Sequence, residues 1–262
     1  MKTKSLALLC FGMGVCGMAL AAKVPLYDNF SGPQIDRAKW FESEAWRFDD
    51  GKQLNLARWL YGGTASDTGV TAETFALNMP DSTAPKAVSA VIAVTDAATI
   101  EGCAANTTPS YARARLIAAY FNVRAGGPIP GDRTGDVLTQ IRVGRTSNSA
   151  DAPGVLRVQG VVSSCSNADC SVSAGMYSAD LGTTTVGTPV TAQIDWDKKN
   201  NLFRFTRDKS TVVTTPYTEA DDQLPVGPFV QVSIRNETAN CLSGAKAKSG
   251  VAATFDNVSI AR

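Results

Sequence analysis

The chain has 262 residues, 44% of them hydrophobic and 19% charged, with a formal net charge of +1. That balance excludes an attraction of the whole molecule to nucleic acid or to an anionic membrane. The complete lack of histidine excludes Ser/His and Cys/His nucleophilic catalysis.

In chain order, the first residues read as a secretory signal. Lys2 and Lys4 give a positive start, Leu6 to Leu20 is apolar and uncharged, and Ala19-Leu20-Ala21 is a small-x-small cleavage site. The run is too short and wrongly flanked for a membrane span. Cys16 follows Met13-Gly14-Val15, and Val15 departs from the Gly or Ala that a lipoprotein signal wants before its cysteine, so soluble export is the expectation. Residues 1–21 are therefore read as a signal peptide and 22–262 as a single domain, secreted or periplasmic, with no stable membrane insertion after cleavage. Loss of Lys2 and Lys4 moves the net charge from +1 to −1, still close to neutral.

Cys103, Cys165, Cys170 and Cys241 remain after cleavage, and an even count in an exported chain points to disulfides. Cys165 and Cys170 bracket Ser166-Asn167-Ala168-Asp169, the composition of a hairpin tip, which favours a local bridge. Cys103 and Cys241 would then pair across a long separation. A zinc site would want Cys-x-x-Cys spacing, usually with His, and the chain has neither.

Leu26-Tyr27-Asp28-Asn29-Phe30-Ser31-Gly32 reads as the opening strand. Pro33 to Trp40 reads as a single helical turn with Ile35 and Trp40 inward. Glu44 to Phe48, the Asp-Gly turn at 49–52 and Leu54 to Arg58 form a hairpin. A loop rich in Gly, Thr and Ser follows at 61–69. From Glu73 onward the period is two. Phe75, Leu77 and Met79 share a face, as do Val88, Ala90, Ile92 and Val94. Val137, Thr139, Ile141 and Val143 oppose Leu138, Gln140 and Arg142. Leu156 and Val158 oppose Arg157 and Gln159, and Val230, Val232 and Ile234 oppose Gln231, Ser233 and Arg235. Such alternation predicts strands with one face on a core and one in water. The segment 110–125 has helix-forming composition, but its neighbours are strands and it too is read as one, with Tyr111, Arg113 and Arg115 on one side. Ile194-Asp195-Trp196 and Leu202 to Phe205 form a hairpin around a polar turn, and Phe255-Asp256-Asn257-Val258-Ser259-Ile260 reads as the final strand. The pattern predicts an all-β chain: a two-sheet antiparallel β-sandwich of jelly-roll type, with the N- and C-terminal strands in the same sheet.

The stretch Asp28-Asn29-Phe30-Ser31-Gly32, continuing to Ile35-Asp36 and Lys39-Trp40, resembles the start of exported bacterial domains in the concanavalin A-like lectin/glucanase superfamily. Phe255-Asp256-Asn257-Val258 resembles their last strand. Ile194-Asp195-Trp196-Asp197 with Phe203-Arg204-Phe205 is similar to the central hairpin of laminin-G-like members. The resemblance implies two antiparallel sheets, one concave, and sugar ligands in many relatives. Fold does not by itself fix function. Family 16 glycoside hydrolases of that superfamily resemble one another in a Glu-x-Asp-x-x-Glu strand, whose alternate carboxylates flank a glycosidic bond. This chain has no such run; Glu42-Ser43-Glu44 and Glu219-Ala220-Asp221-Asp222 come nearest. Jelly-roll alginate lyases resemble one another in a Gln-Ile-His strand, and here Gln140-Ile141-Arg142 carries Arg in place of His.

The water-facing sides of the strands carry Gln140, Arg142, Arg157, Gln159, Gln231 and Arg235, joined by Arg113 and Arg115 if that segment is a strand. Forked donors of this kind suit sugar hydroxyls and carboxylates. The competing reading is a plain solvated sheet face. By parity Tyr111, Phe121 and Phe229 fall on the same side and are candidate stacking platforms, whereas Trp40, Trp46, Trp59 and Trp196 are assigned to the core. Asp132 and Asp136 flank Arg133-Thr134-Gly135; a structural calcium ion is one use of that pair, an Asp-stabilised turn the other. Sequons stand at Asn29, Asn106, Asn236 and Asn257. The leading expectation is an exported, non-catalytic carbohydrate-binding or surface-associated protein with a polysaccharide or glycan as partner, an acidic one being what an Arg/Gln groove suits, and no nucleic acid. The alternatives are a glycan-cleaving enzyme, hydrolase or lyase, with an unrecognised carboxylate pair, and a structural or adhesive envelope protein.

Overall fold

The computed structural model describes residues 44–80, 84–97 and 100–262. The signal peptide, the opening strand at 26–32, the turn at 33–40, Trp40, Glu42, Ser43 and the sequon at Asn29 lie outside the described residues. The placing of the two terminal strands in one sheet therefore concerns a strand that is not described.

Thirteen described strands run β1 (Glu44–Asp49), β2 (Leu54–Tyr61), β3 (Val70–Pro80), β4 (Ala87–Asp96), β5 (Tyr111–Asn122), β6 (Asp136–Thr146), β7 (Val155–Cys165), β8 (Ser173–Thr185), β9 (Val190–Asp197), β10 (Leu202–Arg207), β11 (Thr211–Pro216), β12 (Phe229–Ala239) and β13 (Lys248–Ala261). They form two antiparallel sheets. One has the order β1-β2-β13-β4-β9-β10-β11 and the other β3-β12-β5-β6-β7-β8. The sandwich expected from the period-two pattern is the observed fold.

The core lies between the sheets and is filled by the residues that alternation assigns to it. Val88, Ala90, Ile92 and Val94 of β4 are buried, as are Val137, Ile141 and Val143 of β6, Leu156 and Val158 of β7, and Val230, Val232 and Ile234 of β12. Segment 110–125 is a strand, β5, whose Ala112, Ala114, Leu116 and Ala118 fill the core opposite the arginines. Alanine there suits close approach of the facing sheet, which outweighs its helix propensity. Gly160 of β7 faces inward, and a Cβ on it would overlap the Phe205 ring from the other sheet. The two hairpins read from the sequence are present: Asp49 pairs with Leu54, and Asp197 with Leu202 around the short turn Lys198–Asn200.

Three readings are corrected. Phe121 is fully buried because β5 carries a bulge: Ala119 pairs with Leu138 but Phe121 with Val137. The extra residue reverses parity, and Tyr120 and Phe121 both turn inward, Phe121 packing 5.7 Å from Trp196 and 5.1 Å from Tyr217. Trp46 is 43% exposed on an edge strand, stacked 5.1 Å from Phe48, rather than in the core. Leu77 and Met79 lie on the expected face of β3 but are 45% and 43% exposed; among the described residues β3 is a sheet edge with β12 as its one neighbour. The expected final strand at 255–260 lies within β13, which carries a register shift between Asp256 and Ser259, with Asn257 at φ of 50°. Asn106 and Asn236 are buried, and the Asn236 amide donates to Ser249, so neither is placed to accept a glycan.

Both disulfides form as the sequence favoured, Cys103–Cys241 with Cα atoms 5.6 Å apart and Cys165–Cys170 at 4.8 Å. Such bonds belong to an oxidising compartment. Among the described residues no helix is long and apolar enough to cross a membrane. The first bridge closes a separation of 138 residues. Replacing Cys103 and Cys241 together by Ala is expected to lower stability by about 2–4 kcal/mol. Urea unfolding checks this, and an unchanged midpoint would show that the bridge does not restrain the unfolded chain.

Candidate functional site

The second sheet turns one face to the core and the other to solvent. On the outer face β5 presents Tyr111, Arg113, Arg115 and Ile117, β6 presents Gln140 and Arg142, β7 presents Arg157 and Gln159, and β12 presents Gln231, Ser233, Arg235 and Glu237. The antiparallel registers arrange these in rows. One row runs Thr74, Arg235, Arg113, Gly144, Arg157. The next runs Ser233, Arg115, Arg142, Gln159, Asp180, and the third Asn78, Gln231, Ile117, Gln140, Val161. All six residues singled out from the sequence, with Arg113 and Arg115, therefore share one face of one sheet.

They are not equivalent. Arg157 is exposed and already clamped: its Nε and Nη2 donate to the two Asp151 oxygens at 2.7 and 2.8 Å. Gln231 donates to Asn78 at 2.6 Å, and Gln159 is exposed. The centre is different. Arg115 is only 6% exposed; its Nε donates to Ser233 Oγ and its Nη2 to Thr74 Oγ1, both at 3.2 Å. Arg113 lies 4.0 Å over the Tyr111 ring and donates to the Tyr111 hydroxyl at 2.6 Å. Arg235 donates to Glu237 Oε1 through Nη2 at 2.7 Å and Nε at 2.9 Å. The Nε atoms of Arg113 and Arg142 and the Oε1 of Gln140 are buried with no hydrogen-bond partner. Among the described residues Arg115 and Arg142 form no ion pair.

Four guanidiniums thus share a partly dry patch with one carboxylate, Glu237. Their acidities respond accordingly. Burial, with the charges of Arg142 and Arg235, holds Arg113 well below its ordinary value, and Arg115 is lowered by burial and by all three neighbours. Burial, then Arg235, brings Arg142 down to about 10. Burial lowers Arg235 and pushes the Glu237 carboxyl up to about 7. The arginine shifts are the signature of like charges drawn together and partly out of water, and the Glu237 shift is that of burial alone; such shifts cluster at functional sites.

Two recesses open on this patch. One, of about 440 Å³, is lined by Arg113, Arg115, Gln140, Arg142, Arg235 and Glu237, and the segment 170–173 that follows the Cys165–Cys170 bridge forms part of its lining. The other, of about 310 Å³, is lined by Arg113, Arg142, Gly144, Asp151, Arg157 and Gln159. They meet at Tyr111, Arg113 and Arg142. Gly144 belongs to the site: a Cβ there would run into Ala112 O and Arg113 Cβ. Tyr111 is the aromatic that parity placed correctly. Phe229 is half-buried under the Arg133 guanidinium, 4.9 Å from its centroid.

The Asp132–Asp136 pair is occupied by protein donors. Asp132 accepts from Arg124 and from the Thr134 hydroxyl and N–H. Asp136 is fully buried and accepts from Asn122 Nδ2 (2.8 Å), Val226 N (2.8 Å), Gly227 N (3.1 Å) and Arg133 Nε (3.3 Å). That is a turn built on Asp side chains; these bonds leave the pair poorly suited to calcium. Asp67 groups with Cys103 and Cys241, but the two sulfurs are joined to each other and Asp67 accepts from Leu242 N and Ser243 N. The Glu219 to Asp222 stretch lies in the loop between β11 and β12, where Glu219 takes the Tyr177 hydroxyl and Asp221 takes those of Tyr217 and the Lys198 ammonium.

Glu237, Ser233, Thr74 and Gly144 were missed in the sequence. Glu237 was within reach, since it follows Arg235 at the same parity.

No family model matches the chain, and no curated protein sequence matches it. Solved structures do resemble it. A family 16 glycoside hydrolase from a Bacteroides ovatus mixed-linkage glucan locus, in complex with its product, aligns at 13% identity with a TM-score of 0.43, covering 82% of this chain and 84% of that one. An alginate lyase variant in complex with an alginate trisaccharide aligns at 10% identity and TM-score 0.39, covering 84% and 87%. The Bacillus licheniformis β-glucanase aligns at 10% identity and TM-score 0.36, covering 80% and 78%. Each is a likeness of fold.

Proposed function

We propose that this protein is exported and binds an acidic polysaccharide along the arginine-rich face. The observation that carries this reading is the central patch: Arg115 buried and Arg113, Arg142 and Arg235 half-buried beside it, with Glu237 as the single lining carboxylate among the described residues, and buried donors at Arg113 Nε and Arg142 Nε left without partners. A solvated sheet face would pair its charges across strands and leave its long side chains in water. A patch of desolvated like charges is instead complementary to a ligand bearing the opposite charge, and guanidinium forks match carboxylates or sulfates bidentately. A gathering of the whole Arg/Gln set on one face supports binding over a ligand-free envelope role. The hydrolase alternative wants two carboxylates flanking a bond; here each recess has one, Glu237 and Asp151.

The test is retention of the protein on neutral and acidic polysaccharides, with reducing ends and unsaturated-uronide absorbance followed in the same wells. Salt-sensitive retention on acidic glycans alone is the expected result. Equal retention on neutral glycans, or none on any, would refute it. Uronide absorbance would replace binding by elimination as the function of this face.

A further inference from the structure

Resting on that reading, we propose that Glu237 is the site's own counter-ion: it stands on Arg235 where an anionic group of the ligand would stand, and so tunes the strength of acidic-glycan binding and makes it depend on pH. The geometry is that of an internal mimic. Two donors of one Arg235 edge, Nη2 and Nε, are taken by Glu237 Oε1 at 2.7 and 2.9 Å, the same edge that a uronate carboxylate would use with its two oxygens. The same oxygen is 4.0 Å from Arg113 Nη2. Among the described residues no other carboxylate lines the recess.

The groups around it are all accounted for by element. On its own strand it faces Arg235. Across β5 it faces Tyr111, its pairing partner, and Arg113. Across β3 its partner is Ala72, with Thr74 beside Arg235; both are uncharged. Arg115 and Arg142 complete the recess. Every charge near Glu237 is therefore positive, and a ligand anion competes with it for the same guanidiniums.

The sign follows directly. Burial pushes the Glu237 carboxyl up to about 7. Above that pH Glu237 is ionised and holds the Arg235 fork. Below it Glu237 is neutral, the fork is released, and the four guanidiniums face the ligand without internal compensation. Uronates stay ionised down to about pH 4, so the change lies in the protein. By linkage, binding an anion raises the Glu237 proton affinity further, and the complex takes up a proton.

Titration calorimetry of the full chain with an oligogalacturonate, in two buffers of different ionisation enthalpy, reads this out. The wild type should bind about tenfold more tightly at about pH 5.5 than at about pH 8.5, with proton uptake near neutrality. Glu237→Gln keeps the shape and removes the charge; it should bind tightly at both pH values with no proton uptake. Glu237→Ser should behave likewise if the amide disturbs the strand. A wild type with no pH dependence, or a Glu237→Gln protein that keeps the full dependence or binds more weakly, overturns the counter-ion role while leaving the acidic-glycan reading intact. No binding by any of the proteins at either pH overturns both.

Discussion

Arg142→Met is expected to remove most of the affinity for an acidic glycan and, in the free protein, to raise stability. Arg142 sits across from Arg115 on β5 and Gln159 on β7, at the junction of the two recesses. Its Nε is buried without a partner, and among the described residues it has no ion pair. In the free protein it is a desolvated charge beside three like charges. Replacing such a group by an apolar side chain of similar length is expected to stabilise by about 1–2 kcal/mol. In the complex the same change deletes a charge-assisted contact in a dry site, about 2–4 kcal/mol, or roughly 30- to 1,000-fold in affinity. Opposite signs in the two measurements are the signature of a residue kept for a ligand at the expense of stability. Loss of both binding and stability would mean that Arg142 is structural; no loss of binding would remove it from the site.

The same group gives a pH test. Burial, then Arg235, brings its folded value down to about 10, below that of a free guanidinium, so the folded protein loses this proton first. The destabilisation is fully present at neutral pH. As pH rises above about 10, toward the ordinary guanidinium value, the unfolded chain binds more protons, and the Arg142 contribution to stability rises with pH. That rise should be absent from Arg142→Met.

Asp136→Ala is expected to cost about 3–5 kcal/mol. Asp136 opens β6, and its carboxylate is fully buried. It collects the amide of Asn122 at the end of β5, the N–H groups of Val226 and Gly227 on the approach to β12, and Arg133 Nε. These are the ends of the three strands that carry the central arginines. Removing the carboxylate strands four donors at once in a fully buried position. Urea unfolding measures the loss, and Asp136→Asn should recover only part of it, because an amide places a donor where N–H groups already point. A change below about 1 kcal/mol would show that the loop 222–228 can find other acceptors.

Much of the site was legible before any strand was placed in space. Period-two alternation fixes which side chains of a strand share a side, so Gln140 and Arg142, Arg157 and Gln159, and Gln231 and Arg235 were each correctly grouped from local pattern alone. Composition misled only where the pattern itself changes. Phe121 was assigned to the arginine side because no residue near it announces a bulge; the shift arises from pairing with β6 and from the aromatic cluster of Trp196, Phe203 and Tyr217 that draws Phe121 inward. Trp46 was assigned to the core because a tryptophan is usually half-buried, but its strand lies at a sheet edge. The edge strands β8 and β11 went unread because strands with polar, exposed residues lack the contrast on which alternation depends.

By itself, then, the sequence determined the fold class, the facing of each inner strand, the two disulfide partners and the identity of the forked donors, because all of these rest on local periodicity, spacing and side-chain chemistry. Only the tertiary structure decided that β12 lies between β3 and β5, which brings Arg235 beside Arg113 from 122 positions away, and that Glu237 alone balances the four guanidiniums. Strand neighbours are chosen by the packing of the two sheets against each other, a property of the whole chain. No window of sequence contains it, and the electrostatics of the patch exist only once that choice is made.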